Sequence, residues 1–192
     1  MEKVSRDAAS ALYMGIAHDT GVFQYSCTSP ETMRLAAALM EKQIPYTEIL
    51  EETFYKKTYL QNQVMGKALL ESMRLLNGKC VVSVMRQKDM DFFGVTTTDL
   101  DGIVSQMKQT KGVEVAIFLY ETDYMEYKVS LRSENIVDVS KVASYFGGGG
   151  HVRAAGVTMK GTFHDIVNNL TLHIERQLEG QDRKSTRLNS SH

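Results

Sequence analysis

Four consecutive glycines, Gly147, Gly148, Gly149 and Gly150, constrain this chain more than any other stretch. Glycine loses more backbone entropy on ordering than any other residue, so a run of four is disfavoured wherever side chains could pack instead. The expected reason for it is close approach of a ligand to bare backbone. His151, Val152, Arg153, Ala154, Ala155 and Gly156 come next, and their small residues suggest a turn of helix after the glycines. Backbone N–H groups and the positive end of a helix dipole would then cradle a phosphate or carboxylate, with His151 at the rim. The competing reading is a plain connecting loop.

Such an anion site has to be local, because the formal net charge is only −1 and leaves no general basic coat for nucleic acid. With 192 residues, 43% of them apolar, the chain can bury the core of one domain and part of another. Cys27 and Cys80 lie far apart and match no metal spacing, which suits a reducing compartment better than a disulfide scaffold. No window approaches the length of a membrane span, and the first residues lead into no signal-type apolar core. The sequence reads as a cytoplasmic protein without a membrane partner. Residues 182–192 (DRKSTRLNSSH) lack apolar periodicity and follow an expected helix stop at Gly180. They resemble the translation of a common sequencing adapter, and 181–192 is expected to be a disordered, artefactual tail.

The hydrophobic pattern predicts an α/β fold. Helix formers from Arg6 to Met14 run through Gly15 into a turn at His18, Asp19, Thr20 and Gly21. Asp19 in that turn reads either as an acid at the end of a buried element or as a residue capping its own backbone. Phe23, Tyr25 and Cys27 alternate as a short strand would. Ser29 with Pro30, and Thr28 with Glu31, mark a helix start. Residues 47–76 keep helical spacing up to Asn77 and Gly78, with a domain boundary expected within 56–76. Strands are predicted at 79–86, just after a turn at 89–94, at 113–120, at 124–130 and at 156–159. Helices are predicted at 99–109, near Asp138 and after Thr162.

Three features could form one constellation: Asp19, the pair Arg132 and Ser133 ending a strand, and the glycine run with His151. An arginine at a strand end can fork two charge-assisted hydrogen bonds to a phosphate, with the serine hydroxyl beside it; the alternative is a surface ion pair. Arg153 either assists or faces solvent. His18 beside Asp19 is equally ambiguous, and His164 and His173 are expected to be exposed. No lysine followed by serine or threonine completes a phosphate loop after the glycines, and no nucleophile elbow occurs. One carboxylate and one histidine are too few for a metal centre. The residues alone reach an anion-binding domain with half a catalytic site.

The segment VSLRSENIVDVSKVASYF followed by GGGGHVRAAG resembles the glycine-rich motif of the DHH-associated domain. LYMGIAHDTGVFQYSCTSPET with KGVEVAIFLYE is similar to the DHH-family phosphoesterases, in particular the bacterial oligoribonucleases that also dephosphorylate phosphoadenosine phosphate. The resemblance covers about residues 1–180. It implies a remnant of the DHH catalytic lobe over 1–55, a linker helix over 56–77, and over 78–180 a DHH-associated substrate domain whose mixed sheet is covered by helices. It further implies two manganese ions held by aspartates and histidines of the first lobe, Asp19 resembling the last of these ligands and His18 a catalytic neighbour. Arg132, Ser133, Gly147, Gly148, Gly149, Gly150 and His151 resemble the site for the substrate phosphate. The implied partners are short RNA and nucleotides, and a homodimer is left open.

The paired-aspartate and Asp-His-His motifs of that family do not occur upstream of Asp19. The sequence therefore reads as a late part of such a gene, whose intact parent would be a manganese phosphodiesterase while this polypeptide alone would be inactive. Competing readings are a cyclic dinucleotide or single-strand DNA phosphodiesterase of the same family, and a nucleic-acid-binding module like the one appended to alanyl-transfer-RNA synthetases. A purely structural dimerisation domain is the third.

Overall fold

The computed structural model describes residues 4–25 and 27–189, with side chains as far as Gly180. The chain divides into two compact units, Met1–Thr58 and Tyr59–His192.

In the first unit, α1 (Arg6–Asp19) starts at Ser5, whose hydroxyl accepts from the Ala8 N–H. It runs four residues further than Gly15 suggested, so Asp19 is its last residue and the turn follows it. Residues Val22 and Phe23 have positive φ (55° and 64°) and lie in turns, so among the described residues the strand expected at 23–27 does not form; Ser26 lies outside them. The buried hydroxyl of Thr20 holds that turn, donating to the Ile16 carbonyl at 2.7 Å and accepting from the Phe23 N–H at 3.0 Å. Helix α2 (Pro30–Met40) is capped by a box between Ser29 and Thr32, not by Thr28 and Glu31. Ala9, Tyr13, Ala36, Leu39 and Ile44 form the core of this unit.

The helix expected over 47–76 is several pieces. It breaks into α3 (Tyr46–Leu50), a π-helical turn Glu51–Tyr55, extended backbone at Lys56 and then α4 (Tyr59–Leu70). The linker helix expected over 56–77 is thus confined to α4, after which Met73–Leu75 is a strand. Helical spacing here reflected one-sided burial of Val64 and Ala68 and did not require one continuous helix.

The second unit is built on a six-stranded mixed sheet: β1 (Met73–Leu75), β2 (Cys80–Met85), β3 (Val115–Asp123), β4 (Glu126–Ser133), β5 (Gly149–His151) and β6 (Ala154–Lys160). Their order is β1-β2-β3-β4-β6-β5; β2 and β3 are parallel and every other pair is antiparallel. The parallel pair needs a crossover. Helix α5 (Gln87–Phe93), a 3₁₀ turn Thr97–Leu100 and α6 (Ile103–Lys108) supply it. The turn into a strand expected after 89–94 is therefore α5, ended by Gly94 in the left-handed region. Helix α7 (Val139–Ser144) is capped by the Asp138 carboxylate accepting from the Lys141 N–H. Helix α8 (Phe163–Asn189) follows Thr162, whose hydroxyl accepts from the Asp165 N–H.

Gly180 does not end α8. One interior glycine costs only about 1 kcal/mol against alanine, and no proline follows to stop the helix. The tail expected over 181–192 falls where no side chains are described; the described backbone is helical to Asn189, and residues 190–192 lie outside the described residues.

Alternation along the strands separates two cores. Cys80, Val82, Ile117, Val129, Leu131, Val157 and Met159 pack on one face with Val142, Leu170 and Ile174 of α7 and α8. Val81, Met85, Ala116 and Phe118 pack on the other with α4, α5 and α6. Burial pushes the Cys80 thiol up to about 12, because a thiolate cannot be solvated there. Cys27 is exposed. A maleimide at neutral pH is therefore expected to label one thiol in the native chain and two in denaturant, read by intact-mass spectrometry.

Candidate functional site

The glycine run does not open a helix. Gly149, Gly150 and His151 form β5 and Ala154 begins β6, so the segment is a tight antiparallel hairpin. A Cβ on Gly148 would lie 2.4 Å from the Gly156 carbonyl oxygen, and one on Gly150 would lie 2.5 Å from that of Ala154, with φ at +147°. The fold itself requires these two glycines, against the expectation that the run serves only a ligand. Gly149 differs: a Cβ there meets nothing within 4 Å, and its φ lies outside the left-handed region.

Register then brings the sequence candidates together. Arg132 on β4 pairs with Ala154, and Ala154 pairs with His151, so all three share one row and one face. In the next row on that face Ser130 pairs with Gly156, which pairs with Gly149. Two strand spacings of about 4.8 Å put the Arg132 and His151 backbones about 10 Å apart. Between them lies a strip of methyl and hydrogen: Ala154, Gly156 and Gly149. Arg132 is half-buried and its Nη1 donates to the Leu131 carbonyl at 3.0 Å; His151 is exposed.

Ser133 does not belong to that strip. It is buried, on the opposite face from Arg132, and its hydroxyl donates to the Val152 carbonyl at 3.4 Å. Its hydrogen bond seats the hairpin, as do those of Arg153, which is exposed to solvent. The Arg153 guanidinium donates to the carbonyls of Val137, at 2.9 Å, and Asn135. The Ser133 N–H donates to the Arg153 carbonyl and the Val139 N–H to the Val152 carbonyl. From the other side the buried Glu114 carboxylate accepts from the N–H groups of Asn135, Ile136 and Val137 at 3.1, 2.6 and 3.0 Å. The 135–137 loop is thus held by its carbonyls and its N–H groups at once, and the tip of the hairpin rests on it.

Sequence reasoning missed Glu114, although an acid between Val113 and Val115 at the start of the most apolar strand was a visible signal. It also missed Lys128 and Ser130, which period-two spacing places on the face of Arg132. His173 is half-buried, not exposed; the Tyr145 ring stacks on it at 4.2 Å and Phe146 meets it edge-on at 5.5 Å. His164 is exposed as expected.

In the first unit, His18 and Asp19 are both exposed, and the His18 ring lies 4.5 Å from that of Phe54. Asp19 ends α1, where the helix dipole is negative and offers a carboxylate no support. Among the described residues no three His, Cys, Asp or Glu side chains gather to hold a metal ion. The donor set present therefore does not fit a pair of manganese ions. Among the described residues no helix is long and apolar enough to cross a membrane.

Comparison with known proteins bears on the domain that carries the strip and its hairpin. The DHHA1 domain model matches residues 77–179, which contain every strand of the sheet from β2 onward. The bifunctional oligoribonuclease and PAP phosphatase NrnA of Thermus thermophilus is 31% identical over 172 residues, 89% of this chain and 51% of that protein. The probable bifunctional oligoribonuclease and PAP phosphatase NrnA of Streptococcus mutans is 32% identical over 80% of this chain and 49% of its own length. An exopolyphosphatase-related protein from Bacteroides fragilis superposes with a TM-score of 0.83 at 25% identity, covering 90% of this chain and 51% of that one. The chain spans about half the length of the curated relatives it matches. With the glycine hairpin, the mixed sheet and the match over 77–179 in agreement, the chain belongs to the DHHA1 domain family.

Proposed function

We propose that this protein supplies the substrate-holding part of a phosphoesterase that hydrolyses short oligoribonucleotides and dephosphorylates phosphoadenosine phosphate, the activities named for its relatives. The observation that carries the reading is the row Arg132, Ala154, His151 beside the row Ser130, Gly156, Gly149. It offers a phosphate two cationic or donor side chains across a strip with no side chain larger than a methyl. The Arg132 guanidinium would fork two N–H groups to phosphate oxygens, and an imidazole N–H of His151 would meet the same phosphate or the next from the far strand. Ser133 and Arg153 act through the hairpin and not on the ligand.

Residues 1–55 would be the late part of a metal-holding lobe. Asp19 would give one carboxylate to the manganese pair that the family resemblance implies, and one carboxylate does not hold two ions. The chain alone is therefore expected to bind nucleotide without hydrolysing it.

Calorimetric titration with adenosine monophosphate at low salt tests both parts. Binding should be detectable, and Arg132→Ala should weaken it roughly 10- to 100-fold, as loss of a charged hydrogen-bonding group does. Absence of binding by the native chain would sink the phosphate reading. Release of mononucleotides from a trinucleotide RNA by the native chain with added manganese would sink the claim that it is inactive alone.

A further inference from the structure

Helix α7 leads directly into the glycine run and holds the hairpin by three hydrogen bonds. The Ser140 hydroxyl donates to the Gly150 carbonyl at 3.1 Å, the Val139 N–H donates to the Val152 carbonyl at 3.0 Å, and the Ala143 carbonyl accepts from the Gly148 N–H at 3.0 Å. With only six residues α7 is too short to be stable by itself, so whatever fixes its ends also fixes the hairpin. Both ends meet one row of α8. At the first, the Gln177 side chain accepts from the Asp138 N–H at 2.9 Å and donates to the Asp138 carbonyl at 3.2 Å. At the last, the His173 ring stacks on Tyr145 and meets Phe146 edge-on. His173 and Gln177 stand at i and i+4 of α8 and therefore on one face of it.

We propose that His173 and Gln177 are positioning residues for the phosphate strip, which they hold in place through α7 without touching a ligand; what they position rests on the phosphate reading above. The path is short, and each step in it is a named contact. Gln177 grips the residue before α7 and His173 the two residues after it, so α7 cannot slide along its axis without breaking one grip. Movement of α7 would carry the Gly150 carbonyl through Ser140 and the Gly148 N–H through Ala143. Strand β5 ends the sheet, so these contacts with α7 stand where a further strand would otherwise hold it. The glycines make that support necessary, because Gly147 to Gly150 have no side chains by which the core could grip them. His151, which the phosphate reading places on the ligand, comes directly after Gly150 and moves with it. A shift of about 1 Å in such a group is enough to lose much of its interaction.

The test uses the full 192-residue chain and adenosine monophosphate, with the variants His173→Ala, His173→Phe and Gln177→Ala. Titrations are run well below the melting temperature of every variant, where a loss of stability alone leaves affinity unchanged. His173→Ala should weaken binding roughly fivefold, the worth of one aromatic pair, and Gln177→Ala roughly tenfold, the worth of two hydrogen bonds. His173→Phe keeps a ring against Tyr145 and Phe146 and should restore most of the affinity. Amide chemical shifts of Gly148 and Gly150 in the ligand-free chain supply a second readout. They should move in both alanine variants and return toward the native values in His173→Phe. Native affinity in both alanine variants overturns the proposal whatever their melting temperatures, and leaves His173 and Gln177 as packing residues only. Should the native chain fail to bind adenosine monophosphate, the phosphate reading is overturned, and the glycine shifts alone decide the positioning: unmoved in both alanine variants, they overturn that as well.

Discussion

Gly150→Ala will destabilise the chain by roughly 3 kcal/mol or more, whereas Gly149→Ala, one residue earlier, will stay within about 1 kcal/mol of the parent. The difference follows from what each new Cβ meets. At Gly150 it would press on the Ala154 carbonyl oxygen at 2.5 Å and the Ala155 Cα at 2.7 Å, in a backbone conformation with φ at +147° that is close to glycine-only. Both obstacles are backbone of the partner strand, so relief requires β5 to leave β6. At Gly149 the methyl would enter open space on the face shared with Arg132. For a chain of this size the first substitution should lower the melting temperature by about 6–12 °C and the second by little. Affinity should behave in another way: both variants should lose adenosine monophosphate binding, Gly149→Ala by covering the strip and Gly150→Ala by losing the strand. Thermal melts paired with titration separate the two causes. A Gly149→Ala chain that melts normally and binds normally would show that the strip is not a ligand surface.

Glu114→Ala should cost a comparable amount, about 3–4 kcal/mol, without touching any residue of the strip. The carboxylate is buried and accepts three N–H groups of the 135–137 loop. The Val137 N–H is itself buried, so water cannot replace the lost acceptor there. Glu114→Gln keeps one acceptor oxygen and should lose about half as much. Because the hairpin tip hangs on the carbonyls of the same loop through Arg153, both variants should also weaken nucleotide binding. Chemical denaturation followed by far-ultraviolet circular dichroism gives the stability change; no loss on Glu114→Ala would refute the clamp.

Much of the fold was legible because strands 80–85 and 115–123 are rich in β-branched residues and the helix starts carry their caps in plain sight. What misled was local ambiguity. The residues of α5 have too short a run for periodicity to tell a helix from a turn leading to a strand. Helical spacing over 47–76 survived two breaks in the backbone, because one-sided burial leaves the same pattern in separate pieces. At the site, Arg132, His151 and the glycines could be chosen from the chain, but their grouping depends on the pairing of β4 with β6 and of β6 with β5. Ser133 could not be told from a ligand-facing residue by spacing to the glycines. Its odd position against Arg132 on the same strand decides the matter, since neighbours in a strand face opposite ways.

The gap between Arg132 and His151 is set by two ladders of backbone hydrogen bonds and by nothing softer. Side-chain repacking can move the guanidinium or the imidazole, but the strands that carry them cannot separate without giving up ladder bonds in sequence. As a phosphate site the strip would be a fixed gauge whose width is decided when the sheet forms. A ligand finds the protein backbone already ordered, so the entropy lost on binding falls mainly on the ligand and on two side chains. Short, stiff phosphate esters lose least under that arrangement, and long flexible strands gain nothing from the sheet beyond the span it offers.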